Sequence, residues 1–133
     1  MRKYSLNLST HIPTSTKIDV FELCIDNESI FEGFYDEIIS EGNKSVISDL
    51  VKAIKIVEDT ANLQRRPSTK FRQLNVTKIK EKVYEAKCGI IRIYLFHEEN
   101  LGRVIITGGK KDNQTKDIKS ITKTITDYTN GKK

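Results

Sequence analysis

Cysteine, proline and histidine are scarce in this sequence, and each shortage excludes a class of protein. The 133 residues contain only two of each. Cys24 and Cys88 are too few to staple a secreted scaffold and lack the CxxC spacing of zinc and redox motifs, so we expect buried thiols. Two prolines and seven glycines without a repeat exclude collagen-like and linker-like chains. With only His11 and His97 as imidazole ligands, the sequence predicts neither a metal site nor a cofactor.

Long apolar stretches are also missing. No run approaches the 18 or so apolar residues of a membrane-spanning helix, and the first five residues lack the apolar core of a signal peptide. The hydrophobic fraction of 37% and the charged fraction of 31% are ordinary for a globular protein. We therefore expect a single domain over residues 1–133, cytoplasmic and without a membrane partner.

The formal net charge of +5 hides an asymmetry between the two halves of the chain. Residues 1–62 carry 6 basic and 11 acidic side chains, a net charge of −5, whereas residues 63–133 carry 17 and 7, a net charge of +10. A half this basic predicts an anionic partner, either a nucleic acid or an acidic protein segment. The alternative is a well-solvated lysine surface.

The spacing of apolar residues predicts the order strand, helix, helix, three strands, helix. The N-terminal strand region, residues 1–26, has strand-like composition and holds one strand, or two separated around Pro13. Helical periodicity then covers residues 27–41 and 45–64, and an antiparallel meander follows over residues 83–107. The last stripe, Ile118, Ile121, Ile125 and Tyr128, predicts a closing helix that frays over residues 130–133. The predicted core contains Ile47, Leu50, Ile54, Ile91, Ile93 and Leu95.

The central predicted strand has two different faces, because successive side chains of a strand point to opposite sides. One face is aliphatic and should pack on the two helices; the other carries Arg92 together with Tyr94 and Phe96. This second face is expected to be open, so that Arg92→Ala would remove no core contact. If the preceding strand pairs through a turn at Cys88-Gly89, Glu85 and Lys87 lie beside Arg92 on that face.

Further cations lie near this cluster in sequence. Lys110 and Lys111 follow the last strand after two glycines, which allow close approach of the backbone to a ligand. Lys70, Arg72, Lys78 and Lys80 add positive charge upstream. An arginine in an otherwise apolar strand is costly without a partner, which favours a functional role for Arg92 over a structural one. Solvated cross-strand pairs and a soluble lysine loop are the structural alternatives for the other residues.

Three segments carry a resemblance to a known family. They are Val83-Tyr84-Glu85-Ala86-Lys87, Ile91-Arg92-Ile93-Tyr94 and Val104-Ile105-Ile106-Thr107-Gly108-Gly109-Lys110-Lys111. The chain from about residue 45 to 130 resembles the RelE/ParE superfamily of bacterial toxins, closest to its HigB-like and phage-derived branch. Lys87 stands where arginine is common, which keeps the charge but not the bidentate geometry. The N-terminus is longer than in the smallest members, so the role of residues 1–26 stays open.

The resemblance implies an α+β fold in which a small antiparallel RelE-like sheet packs against two N-terminal helices, with a C-terminal helix. It also implies the toxin of a type II toxin-antitoxin system, an mRNA endonuclease that needs the ribosome but no metal or cofactor and inhibits translation. The implied partners are mRNA, the ribosome and a cognate antitoxin protein with a DNA-binding helix-turn-helix.

The implied site consists of cations around one carboxylate. Arg92 and Lys87 are assigned to the scissile phosphate, and Lys110 and Lys111 to flanking phosphates or the transition state. Glu85 is either the base or an ion-pair partner. Substrate-binding roles fall to Lys70, Arg72 and Tyr94.

Two other functions compete with the nuclease. The first is a ParE-like toxin that inhibits gyrase by binding and has no chemistry of its own. The second is a non-catalytic nucleic-acid-binding domain that uses the basic half for phosphates only. The cluster of Glu85, Lys87 and Arg92 favours the nuclease, although fold alone does not determine function.

Overall fold

Seven strands form one mixed sheet, and three helices cover its two faces, in the part of the chain that the computed structural model describes, residues 3–131. The strands are β1 (Tyr4–Leu8), β2 (Val20–Ile25), β3 (Glu28–Ser29), β4 (Phe71–Leu74), β5 (Val83–Cys88), β6 (Ile91–Glu98) and β7 (Gly102–Lys110). The helices are α1 (Ile30–Glu41), α2 (Lys44–Ala61) and α3 (Gln114–Gly131), with a 3₁₀ turn at Lys111–Asn113 before α3. The α+β class is therefore confirmed.

The strand order is β1-β2-β7-β6-β5-β4, with β3 paired to β2. The predicted antiparallel meander is present as β5, β6 and β7, and β4 extends it. The sheet is not wholly antiparallel, however, because β2 runs parallel to β7. A purely antiparallel sheet was the wrong expectation here. The pattern within a strand specifies which face is buried, not the direction of its neighbour.

Short polar signals set the ends of the first two helices. The Ser29 side chain accepts a hydrogen bond from the Glu32 backbone at the start of α1, and Gly42, with φ of 72°, ends it. Asn43 then caps α2. The second helix ends at Ala61 rather than at residue 64. At the C-terminus α3 continues through Gly131, so residues 130 and 131 are helical rather than frayed; residues 132 and 133 lie outside the described part.

The first core lies between the sheet and the helices α1 and α2. Of the six residues predicted for it, four are fully buried: Leu50, Ile91, Ile93 and Leu95. Ile47 and Ile54 are only partly buried and pack at its edge. The predicted burial of Cys24 and Cys88 as free thiols is also confirmed.

A second core covers the opposite face of the sheet. Tyr94 and Phe96 of β6 pack there with Ile121, Ile125 and Tyr128 of α3. The face that carries Arg92 is thus not open, and that expectation was wrong. The helical stripe of α3 shows that the helix has an apolar face, but not which side of the sheet it covers. None of the helices in residues 3–131 is both long and apolar enough to cross a membrane.

We predict that Ile125→Ala lowers the free energy of unfolding by about 2–5 kcal/mol, because the side chain is fully buried and its removal leaves a cavity. Thr126→Ala, one residue along and exposed, is the matched control and should change stability by less than about 0.5 kcal/mol. Urea unfolding of both variants measures the difference. Equal stabilities would mean that α3 does not cover this face.

Candidate functional site

Two cations face each other across the β5–β6 hairpin. Lys87 and Arg92 are directly opposed in the antiparallel ladder and so project from the same face of the sheet. Arg92 is only 8% exposed, and its Nη1 donates to the carbonyl oxygens of Gly89 at 2.9 Å and Ile91 at 3.0 Å. Arg92→Ala would therefore remove hydrogen bonds that hold the turn, so the expectation that only an open sheet face would lose a side chain was wrong.

Carboxylates do not neutralise these charges. The Lys87 backbone donates to the Lys70 carbonyl oxygen at 2.7 Å, which brings a third cation alongside the pair. Within residues 3–131, Lys70, Lys87 and Arg92 form no ion pair. Like charges opposite each other destabilise a sheet. This corner of the sheet therefore carries positive charge that no carboxylate of the described residues pairs with.

Glu85 lies one row further along the same face and is already paired. Its side chain is fully buried and accepts from Arg72 Nε at 3.1 Å and from the Gln114 amide. Arg72 is opposite Glu85 in the β4–β5 ladder, and Gln114 begins α3. The carboxylate therefore joins two strands to the last helix and has few lone pairs left for another partner.

Where the first turn of α3 meets the sheet, two polar side chains each have one buried atom without a hydrogen-bond partner. Tyr94 is fully buried and its hydroxyl makes no hydrogen bond; the Oδ2 atom of Asp117 is likewise buried and unpaired. Burial, then the Glu85 and Asp117 carboxylates, raise the pKa of Tyr94, so the phenol stays protonated and keeps its proton as a hydrogen-bond donor. Burial also raises the pKa of Asp117. A third buried atom without a partner, Nε of Arg92, is on the same face.

Gly109 provides the space for this arrangement. It is opposite Arg92 in the β6–β7 ladder. A Cβ atom added there would overlap Asp117 Oδ2 and would lie 3.4 Å from the Tyr94 ring. The missing side chain therefore lets the Asp117 carboxyl group lie against the sheet beside Tyr94.

Lys110 and Lys111 have different surroundings, because Lys110 ends β7 and Lys111 follows it. Tyr94 pairs with Thr107, whereas Leu95 pairs with Ile105, so Ile106 has no partner in the ladder and forms a β-bulge. Beyond the bulge, the side chains of β7 point to the opposite faces from those that simple alternation predicts. Lys110 consequently lies on the α1 side, where its Nζ is 3.3 Å from Glu41 Oε1. Lys111 is exposed and begins the 3₁₀ turn. The structure thus brings Lys87, Arg92, Glu85, Arg72 and Tyr94 together on one face and leaves Lys110 out.

Sequence reasoning missed Gln114 and Asp117. A usable signal exists, because these residues continue the apolar stripe of α3 towards its N-terminus at spacings of three to four residues. The same helical face that buries Ile121 therefore presents Gln114 and Asp117 to the sheet. Polar residues in line with an apolar stripe indicate buried polar contacts rather than solvent exposure.

A separate polar cluster joins the N-terminal region to α1. Nε2 of His11 is 2.6 Å from Glu32 Oε2, and the His11 ring stacks on Tyr35. The buried Glu22 accepts from Ser9 and Ser29, each at 2.6 Å. Ligand atoms of His11, Glu22 and Glu32 lie within 4.8 Å of one another, which the sequence did not predict. Each of these groups has a protein partner, so the cluster holds residues 9–11 against the sheet and α1.

Comparisons with protein-family models, with curated proteins and with solved structures found no match to this chain. The resemblance to the RelE/ParE superfamily therefore rests on the three sequence segments named above.

Asp117→Asn should stabilise the fold at neutral pH. Because the pKa of Asp117 is raised in the folded state, its ionised carboxylate destabilises the fold relative to the protonated acid. This destabilisation is complete above the folded pKa and disappears below the unfolded pKa of about 3.9. Thermal unfolding should show the variant more stable at pH 7, with a difference that shrinks as the pH falls towards 4. A difference that is constant with pH would contradict the buried, unpaired carboxylate.

Proposed function

We propose that this chain is a RelE-type toxin: an endoribonuclease that cleaves mRNA on the ribosome without a metal ion and is held inactive by an antitoxin protein. The support is twofold. Three short segments resemble the RelE/ParE superfamily, and Glu85, Lys87 and Arg92 of the first two lie together on one face of the sheet.

The observation that carries the proposal is the opposed pair Lys87 and Arg92 with no carboxylate partner in residues 3–131. A pair of this kind costs stability in the free protein, and a bound phosphate would remove that cost. The phosphorane-like transition state of RNA cleavage carries more negative charge than the substrate, so fixed cations stabilise it more strongly.

The roles follow from burial and pairing. Lys87, half-buried and without an ion pair in residues 3–131, contacts the scissile phosphate, and the Arg92 guanidinium supplies fixed charge behind it. Lys111 and Lys70, both exposed, attract flanking phosphates. Glu85 acts as an ion-pair partner that orients Arg72, because it is fully buried and its carboxylate is occupied. This choice between base and ion-pair partner is part of the proposal.

The adjacent lysines provide a matched test. We expect Lys111→Ala to reduce cleavage of mRNA on programmed ribosomes about tenfold, because one phosphate contact is lost. Lys110→Ala should leave cleavage unchanged, because its ammonium group pairs with Glu41 on the other side of the sheet. Primer extension of the mRNA measures both. Equal losses in the two variants would contradict the assignment to this face.

Lys87→Gln separates binding from stability. Removing one of two opposed cations should leave the free energy of unfolding unchanged or raise it, while cleavage falls about 10²-fold through loss of one transition-state contact. Urea unfolding and the cleavage assay are run on the same preparation. A destabilised variant, or one that cleaves normally, would reject the role. A gyrase supercoiling assay of the parent chain tests the binding-only alternative.

A further inference from the structure

We propose that Asp117, in the first turn of α3, is the general base that takes the proton of the attacking 2′-hydroxyl group. This inference rests on the proposed function and adds a catalytic residue that the sequence segments of the family resemblance do not include. The relevant observation is that some buried polar atoms of the folded chain have no hydrogen-bond partner.

Metal-free cleavage of RNA needs a group that accepts the 2′ proton. Glu85 and Asp117 are the two carboxylates that adjoin Tyr94 in the described part of the chain. Glu85 is fully buried and bound by Arg72 and Gln114. Asp117 is half-buried, has no ion pair, and holds a buried oxygen without a hydrogen bond. Of these two carboxylates, Asp117 is the one that is not fully buried and that no cation or amide of the described residues occupies.

The surroundings of Asp117 suit a base. Its burial raises its pKa, which strengthens the carboxylate as a proton acceptor. Tyr94 beside it stays protonated, so no phenolate charge opposes the carboxylate. The charged and titratable groups around this position are Tyr94 and Arg92 on β6, Glu85 on β5, Arg72 on β4 and Lys116 on α3 itself.

Asp117 lies on the same face of the sheet as the opposed cations. Its carboxyl group occupies the space above Gly109, the residue opposite Arg92. A phosphate drawn to Lys87 and Arg92 therefore lies across the same sheet face from this carboxylate. Proximity of base and phosphate is the requirement for attack by the neighbouring 2′-oxygen.

The reaction is a transesterification. The Asp117 carboxylate takes the proton from the 2′-oxygen, which forms a bond to phosphorus while the bond from phosphorus to the 5′-oxygen breaks. The 5′-oxygen takes a proton from the Lys87 ammonium group, and the Lys87 amine recovers one from the Asp117 acid through water. The products are a 2′,3′-cyclic phosphate and a 5′-hydroxyl, with no net uptake of protons.

The test compares the parent chain with Asp117→Asn on programmed ribosomes from about pH 5 to 8. The variant should lose about 10²-fold or more in cleavage rate at neutral pH, the usual contribution of a general base. The parent rate should fall as the pH is lowered towards the raised pKa of Asp117, and that fall should be absent in the variant. Asp127→Asn, exposed on the same helix, is the control and should behave as the parent.

Binding and folding are measured beside the rate. Asp117→Asn should still co-sediment with ribosomes and unfold cooperatively, and Asp117→Glu, which keeps the carboxylate, should recover part of the activity. If the parent chain cleaves and Asp117→Asn cleaves equally well, or shows the same dependence on pH, the role of Asp117 is wrong. The nuclease proposal is then unaffected. A parent that does not cleave programmed mRNA overturns the proposed function itself.

Discussion

The pleat of β6 is the constraint on which both cores and the candidate site depend. Its odd-numbered residues, Ile91, Ile93 and Leu95, pack under α1 and α2, and its even-numbered residues Tyr94 and Phe96 pack under α3. Arg92 shares the even register but lies at the strand end, beside the hairpin. A strand buried on both faces cannot slip by one residue without exchanging its two cores. The same rigidity fixes Arg92 opposite Lys87 and places Tyr94 beneath Asp117.

The candidate site is the part of the sheet where folding interactions are least satisfied. Opposed cations, a buried hydroxyl and a buried carboxylate oxygen each cost stability when they lack partners. Such costs persist where the surrounding structure enforces them, as the two cores do here. The paired groups of the site have the opposite role, since Glu85 bridges Arg72 and Gln114 and so anchors the start of α3. One face of the sheet therefore carries both side chains that stabilise the fold and side chains that lack a partner.

Local sequence patterns predicted the helices and strands well, but they predicted poorly which strands pair and in what register. The two-residue period of β6 correctly divided its faces, and the helical stripes located α1, α2 and α3 within a few residues. The parallel pairing of β2 with β7 was missed because residues distant in sequence decide it. Likewise the bulge at Ile106, which moves Lys110 to the far side, has no signal in a run of β-branched residues. Of the candidate site, the strand residues were predictable, whereas Asp117 became visible only when α3 was placed over Gly109.

The central proposal is that this sheet face cleaves RNA. The most direct measurement adds the purified parent chain to ribosomes programmed with a defined mRNA and determines both ends at each new break. We predict cleavage that requires the ribosome and leaves a 2′,3′-cyclic or 3′-phosphate upstream and a 5′-hydroxyl downstream. Intact mRNA together with inhibited gyrase supercoiling, or breaks that carry a 5′-phosphate, would contradict it.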